Sequence, residues 1–291
     1  MLFPEVVERL RALPLPSSGV RLMEVCGTHT MAIAKAGLRQ LLPEGVELLS
    51  GPGCPVCVTH QGSIDAFLDL AMEPGITIAT YGDMIRVPGS RRGDNLARRR
   101  AQGARVQVVY SPVDAVEYAA AHPGEEVVFL GVGFETTAPG TAAAVLTAAE
   151  SGVRNFSVLS MLKRVEPALR ALCAMEDFRI DGFLCPGHVA TILGADGFAF
   201  LPRELGRAAV VSGFEPEDIL RAVYRLLEQI ASGEARLENE YRRGVSGEGN
   251  LLAQAMLERM LCPRDDEWRG LGLIPESGYG FREEFAPWDA E

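Results

Sequence analysis

Gly51-Pro52-Gly53-Cys54-Pro55-Val56-Cys57-Val58 is the stretch on which the reading of this chain turns. Apolar residues Val46, Leu48 and Leu49 precede it as the end of a strand, and helix-like sequence follows it. Two thiols, two residues apart, therefore sit on a turn where a strand hands over to a helix. Gly51 and Gly53 accept backbone angles that other residues resist. Pro52 and Pro55 fix φ and remove donors, so the turn is stiff. A stiff Cys-x-x-Cys turn suits a redox thiol pair or half of a metal site.

The same handover recurs on both sides of this turn. Strands are expected over residues 20–25, 46–50, 76–80, 106–110, 126–132, 156–160, 180–185 and 208–211. Helical sequence is expected over 3–13, near 61–72, 91–102 and 164–175, and in a long segment ending near Ala231. Strands alternating with helices imply parallel sheets covered by helices on both faces. Apolar runs such as Val127-Val128-Phe129-Leu130 fit strands buried on both sides. The fold class is α/β, with two Rossmann-like parallel-sheet domains facing a central cleft and a C-terminal extension. His122-Pro123-Gly124 is the expected boundary. It gives a first domain over residues 1–122, a second over 123–235, and a segment 236–291 that packs back on them. That last segment holds a helix near 249–261 and little other periodicity.

The 291 residues carry a formal charge of −11, which argues against nucleic acid as the main partner. The basic run Arg98-Arg99-Arg100, with Arg91 and Arg92 upstream, reads as a solvated helix face. Met1 to Leu13 is amphipathic, with Glu5 and Glu8, and lacks the cationic-then-apolar pattern of a signal peptide. No stretch is long and apolar enough to span a bilayer, so no membrane role and a cytoplasmic location are expected. There the six cysteines are expected to be free, catalytic or metal-binding rather than structural disulfides.

In parallel α/β sheets, ligands bind beyond the carboxyl ends of the strands. Six polar motifs fall there: Cys26-Gly-Thr-His29, Cys54-x-x-Cys57, Gly82-Asp83, Gly133-Phe-Glu135-Thr136-Thr137, Pro186-Gly-His188 and Phe214-Glu215-Pro216. Together they suggest a composite site. Cys54 and Cys57 precede a helix, whose N-terminus favours thiolate, and they read as a reversible disulfide or two metal ligands. Cys26 and His29 share one face of a helix if it has begun. They read equally as a metal-binding thiolate, an imidazole-assisted nucleophile, or a packed cysteine beside a hydrogen-bonded histidine. Cys26, His29, Cys54 and Cys57 would form a closed zinc site if their loops meet. Glu135, Thr136 and Thr137, taken alone, read first as helix-capping residues. His188 is a proton carrier, a ligand or a helix-start histidine. Asp83 and Glu215 carry less signal. Cys173, in a helix, and Cys262, near a helix end, read as packing residues, and Cys185 stays ambiguous beside the His188 loop. His60 and His122 sit on expected surface loops without a role. No phosphate-binding or dinucleotide glycine motif is complete.

These motifs carry a resemblance. Cys26-Gly-Thr-His-Thr-Met-Ala-Ile33, Gly51-Pro-Gly-Cys-Pro-Val-Cys-Val-Thr59, Gly133-Phe-Glu-Thr-Thr-Ala-Pro139 and Pro186-Gly-His-Val-Ala-Thr-Ile192 are similar to the HypD family of nickel–iron hydrogenase maturation proteins. Arg86-Val-Pro-Gly89, Tyr110-Ser-Pro112, Gly213-Phe-Glu-Pro216 and Asn250-Leu-Leu-Ala-Gln254 extend the match over nearly the whole chain. The resemblance implies an assembly scaffold with thiol redox activity. It would hold iron while cyanide and carbon monoxide are attached, building an Fe(CN)2CO moiety. It implies two partners, a HypC-type small chaperone and a HypE-type protein that donates cyanide from a thiocyanate. It further implies that Cys26 shares the iron with the chaperone, that Cys54 and Cys57 are the redox pair, and that the Glu135-Thr136-Thr137 and His188 loops line the same site, with His29 beside Cys26. The family continues past residue 291 into a cysteine-rich segment holding a 4Fe–4S cluster, and the ligands for that cluster are absent from this chain. A departure is His60, where proline is expected. Two other readings compete: a thiol–disulfide oxidoreductase using Cys54 and Cys57, and a structural zinc protein.

Overall fold

A computed structural model describes residues 3–291; Met1 and Leu2, the first residues of the amphipathic start, lie outside the described residues. The elements run in chain order as α1 (Phe3–Ala12), β1 (Val20–Glu24), α2 (Gly27–Lys35), β2 (Val46–Ser50), α3 (Pro55–Val58), α4 (Gln61–Leu70), β3 (Ile76–Thr80), α5 (Leu96–Ala101), β4 (Arg105–Val108), α6 (Pro112–Ala121), β5 (Glu126–Gly133) and α7 (Ala138–Ser151). They continue as β6 (Phe156–Leu162), α8 (Val165–Cys173), β7 (Gly182–Pro186), α9 (Gly187–Leu193), α10 (Phe200–Leu205), β8 (Ala208–Ser212), α11 (Pro216–Ser232), β9 (Leu237–Asn239), α12 (Leu251–Met260), β10 (Leu261–Trp268) and β11 (Gly272–Phe281). Local chemistry explains several boundaries. At α6, the Ser111 hydroxyl accepts from the Val113 amide, the Asp114 carboxylate accepts from the Ser111 amide, and Pro112 opens the helix. At α11, Pro216 is the first residue and Gly233 ends it with φ +72°.

The chain forms two compact units. The first comprises the residues up to Cys54 together with Leu169–Leu251. Its sheet runs β2-β1-β7-β8-β9, with every pairing parallel. Val20, Leu22 and Leu48 meet Ile33 of α2 and Ile219, Val223 and Leu227 of α11 in its core. Each fully buried aliphatic side chain there contributes roughly 1.5–3 kcal/mol.

The second unit comprises Pro55–Ala168 and Leu252–Glu291. Its sheet runs β4-β3-β5-β6, again all parallel. Ile64, Phe67 and Leu68 of α4 pack with Ile78, Val128, Leu130 and Met161. The antiparallel hairpin β10–β11 belongs to this unit.

The α/β class and the parallel sheets agree with the sequence reading, but the linear division does not match the strand pairing. Residues 123–235 do not form a domain of their own. β7 and β8 pair beside β1, with Leu22 opposite Gly182. The His122-Pro123-Gly124 segment lies within the second unit, between α6 and β5. A parallel pair needs only a crossover of sufficient length, so β1 can take β7 as a neighbour after a whole second unit has been built.

One local reading also changes. Helix α5 begins only at Leu96, because the Asn95 side chain accepts from the Arg98 amide and caps it there. Cys262, two residues past the end of α12, lies in strand β10.

Candidate functional site

In the first unit, Cys26 and Cys54 lie on touching loops. Cys26 ends the turn after β1 in extended backbone (φ −153°, ψ 127°) as the N-cap of α2, and its side chain makes no capping hydrogen bond. Its thiol is free and half-buried. Gly53 stands against it so tightly that an added Cβ would fall 2.5 Å from the Cys26 Cα and N. The Gly27 amide donates to the Gly53 carbonyl at 3.3 Å. A Cβ built on Gly27 would lie 3.9 Å from the Cys54 Cβ, so the Cys54 side chain flanks the start of α2. Cys54 and Cys57 are disulfide-bonded, and Cys57 is exposed.

His29 is the third residue of α2 and fully buried. Its Nε2 lies 2.9 Å from the Gly213 carbonyl, which can only accept, so the proton sits on Nε2. Nδ1 is then a bare lone pair, buried without a hydrogen-bond partner among the described residues. Burial lowers the His29 pKa to about 4, outweighing the carbonyls of Gly213 and Ser212 that favour the protonated ring. The His29 ring stacks on Phe214 at 4.7 Å, and His188 stacks on the same ring at 3.8 Å. His188 is the second residue of α9 and exposed at its edge; desolvation pulls its pKa below the ordinary value. Phe214 thus links the two histidine loops, and Tyr241 meets its edge at 6.2 Å. Asp218 accepts from both terminal nitrogens of the Arg243 guanidinium.

The second unit carries Cys57, Glu135, Thr136 and Thr137. Glu135 follows β5 and is buried. Its Oε1 accepts from the Val165 amide at 2.9 Å, while Oε2 is buried without a hydrogen-bond partner among the described residues. Burial raises its pKa to about 7, more than the Val165 amide and the Arg164 charge offset. The capping role expected for the threonines is not made by their side chains. Thr137 is the N-cap of α7 with no side-chain cap bond, and its hydroxyl donates back to the Phe134 carbonyl. Thr136 is exposed. Gly133 is obligatory here, since an added Cβ would overlap the Thr137 side chain.

The remaining candidates separate. Asp83 is exposed in a short turn, and Glu215 is the exposed N-cap residue of α11. Cys185 is buried in β7, where desolvation pushes its thiol far above the ordinary range and keeps it protonated. His60, expected on a surface loop, caps α4 and lies 2.9 Å from Glu267. Three of the four residues of the zinc reading are otherwise engaged, leaving only Cys26 free: His29 Nε2 is bound to a carbonyl and both Cys54 and Cys57 are oxidised. Among the described residues no three or more His, Cys, Asp or Glu side chains are grouped to hold a metal.

Glu24 and Lys163 are buried charges that went unread in the sequence. Glu24, at the end of β1, accepts from Arg39 at 3.0 Å and from the Ser50 hydroxyl at 3.1 Å. An acidic residue closing the apolar strand Val20–Val25 was the signal for it. Lys163, just after β6, donates to the Glu267 carbonyl at 3.0 Å and pairs with Asp266 at 2.7 Å beneath Trp268. It too closes an apolar strand, where ligand-facing residues of parallel sheets collect.

Comparison with known proteins identifies the family. The HypD model, described as the hydrogenase formation hypA family, matches residues 2–291. The chain is 43% identical over 293 residues to the hydrogenase maturation factor HypD of Azotobacter vinelandii, covering 99% of this chain and 77% of that protein. It is 45% identical over 273 residues to the hydrogenase maturation factor HypD of Escherichia coli, covering 94% and 73%. A putative hydrogenase expression/formation protein of Methanocaldococcus jannaschii is 39% identical over 288 residues, covering 99% and 79%. With a match of this extent and the family's motifs set at the strand ends of both sheets, the chain belongs to the HypD family of hydrogenase maturation factors.

Proposed function

We propose that this chain is a cytoplasmic hydrogenase-maturation scaffold that holds iron at Cys26 while cyanide and carbon monoxide are attached to it. The observation that carries this reading is the free, half-buried Cys26 thiol, uncommitted to helix capping, in backbone contact with the loop that bears Cys54. A soft thiolate suits an iron carrying cyanide and carbonyl, and a single protein thiolate leaves the cargo free to be handed on. A HypC-type chaperone supplies a second thiolate, and a HypE-type partner presents cyanide as a cysteine thiocyanate. Reducing one thiocyanate to a thiol and hydrogen cyanide consumes two electrons and two protons, the quantity released when one dithiol closes to a disulfide. Cys54 and Cys57 are that pair. His29 supports the Cys26 loop as a neutral ring. Glu135, poised near pH 7, and the exposed His188 are proton carriers, with Thr136 and Thr137 on the Glu135 loop.

The test is co-expression with the small chaperone, followed by infrared spectroscopy of the purified complex. Cyanide and carbonyl stretches that disappear in Cys26→Ala are expected. Iron bound to the same level in Cys26→Ala rejects the assignment. The disulfide-bonded Cys54 and Cys57 also favour a second reading, a thiol–disulfide oxidoreductase. It requires reductase turnover in metal-free protein, which the scaffold reading does not.

A further inference from the structure

Glu24 is fully buried, yet no part of the proposed chemistry uses it. Its Oε1 accepts from Arg39 and from the Ser50 hydroxyl, while Oε2 is buried with no hydrogen-bond partner among the described residues. Arg39 is half-exposed and also donates to the Leu48 carbonyl at 3.0 Å. A carboxylate held this way is a poor stabiliser, because desolvation offsets much of the ion pair and one oxygen stays unpaired. Its surroundings show a different use. Ser50, committed as donor to Glu24, can only accept from Thr30, 3.3 Å away on α2, whose single hydroxyl proton is shared with the Cys26 carbonyl. The Thr30 hydroxyl also faces the Cys26 carbonyl at 3.4 Å. The Glu24 carbonyl accepts from the Gly51 amide at 2.9 Å. Side chain and backbone of Glu24 thus both grip the loop that leads to Cys54, and the side chain reaches α2 through Ser50.

We infer that Glu24 is a positioning residue for the thiol loops: through Ser50 and Thr30 it holds the Gly51–Cys54 turn against the Cys26 backbone and so sets the redox poise of Cys54–Cys57. The inference rests on the dithiol reading above for its purpose, but its test needs neither iron nor a partner. Glu24→Met removes the grip at similar volume, and Glu24→Gln keeps the acceptor. The full chain is equilibrated in dithiothreitol buffers to obtain the Cys54–Cys57 equilibrium constant. Alkylation of Cys26 by iodoacetamide is followed by peptide mass spectrometry, and unfolding is followed by heat. The expected result is that Glu24→Met unfolds within a few degrees of the parent, shifts the dithiol equilibrium by about tenfold toward reduction, and alkylates several-fold faster at Cys26. Glu24→Gln stays close to the parent, and so does Ile219→Val, a mildly destabilised core control. If Glu24→Met does not fold, Ser50→Ala and Thr30→Val break the same chain at more exposed positions and are expected to move both readouts the same way. Folded Glu24→Met, or folded Ser50→Ala and Thr30→Val, with parental equilibrium and parental alkylation overturns the inference. A shift in both readouts while iron loading proves independent of Cys26 would sink the scaffold reading and leave the positioning role standing.

Discussion

Gly53 and Cys26 meet backbone to backbone: a Cβ on Gly53 would stand 2.5 Å from the Cα and N of Cys26. Two loops far apart in sequence cannot separate or slide at this point without losing that fit. Gly53→Ala is therefore expected to push the loops apart and to destabilise the chain by about 1–3 kcal/mol. Gly140 in α7 has open space around the added methyl. Gly140→Ala should be neutral or stabilising by about 0.5–1 kcal/mol. Urea unfolding of the two variants checks the contrast; equal effects would show that the Gly53 contact relaxes freely.

Cys26 separates stability from function. It stands at an N-cap without using its side chain as a cap. Cys26→Ser adds an acceptor there and should raise stability by about 0.5–1 kcal/mol. The same variant should lose bound iron in the chaperone complex. A less stable Cys26→Ser, or one that retains iron, contradicts these expectations.

Glu135 and His29 give the pH dependence of stability opposite slopes. The folded Glu135 pKa of about 7 lies above its unfolded value, so the folded state binds more protons between about pH 4.5 and 7. Its contribution is complete below that window and is lost as pH rises through it. The folded His29 pKa of about 4 lies below the unfolded value, so there the unfolded state binds more protons, and stability is lost as pH falls from about 6.5 to 4. Glu135→Gln should steepen the rise of stability with pH over this range, whereas His29→Gln should flatten or reverse it. Denaturant midpoints measured from pH 4 to 8 decide this.

Lys163 and Asp266 are a buried pair in the second unit, at 2.7 Å. Asp266→Ala leaves an ammonium without its counter-charge and should cost about 3–5 kcal/mol. Burial already lowers the Lys163 pKa, so the variant should recover part of that loss at high pH, where the amine is neutral. Both tryptophans, Trp268 and Trp288, are buried in this unit, so intrinsic fluorescence reads its unfolding directly. A cost below about 1 kcal/mol would mean that water reaches Lys163.

Most strands of the two sheets were legible as apolar runs, and β7 and β8 are buried throughout; the short edge strand β9 was not read. β2, β3 and the start of β5 fall where the runs place them. The hairpin β10–β11 was not. Along β10 the more buried positions are Cys262, Arg264, Asp266 and Trp268, alternating with exposed Pro263, Asp265 and Glu267. Two of the inward residues are charged, so the period of two carries no hydropathy signal. Their charges are tolerated because Lys163 pairs with Asp266, and Arg264 donates to the Ser160 carbonyl and to Glu291. Those partners lie on other elements and cannot be found by scanning a window. The site was read unevenly for the same reason. Cys26, Cys54 and Cys57 stand in short motifs whose spacing is their signal, whereas Glu24 matters only once Ser50 and Arg39 surround it.

By itself, the sequence determined the alternation of strand and helix, the stiff Cys-Pro-Val-Cys turn, and the placing of polar loops at strand ends. These depend on local backbone preference and on burial period, which neighbours a few residues apart express. Only the tertiary structure decided that β1 lies beside β7, that the two units are each built from separate stretches of chain, and which polar atoms are left without partners. Those outcomes depend on packing and desolvation among residues far apart along the chain, where no local preference acts.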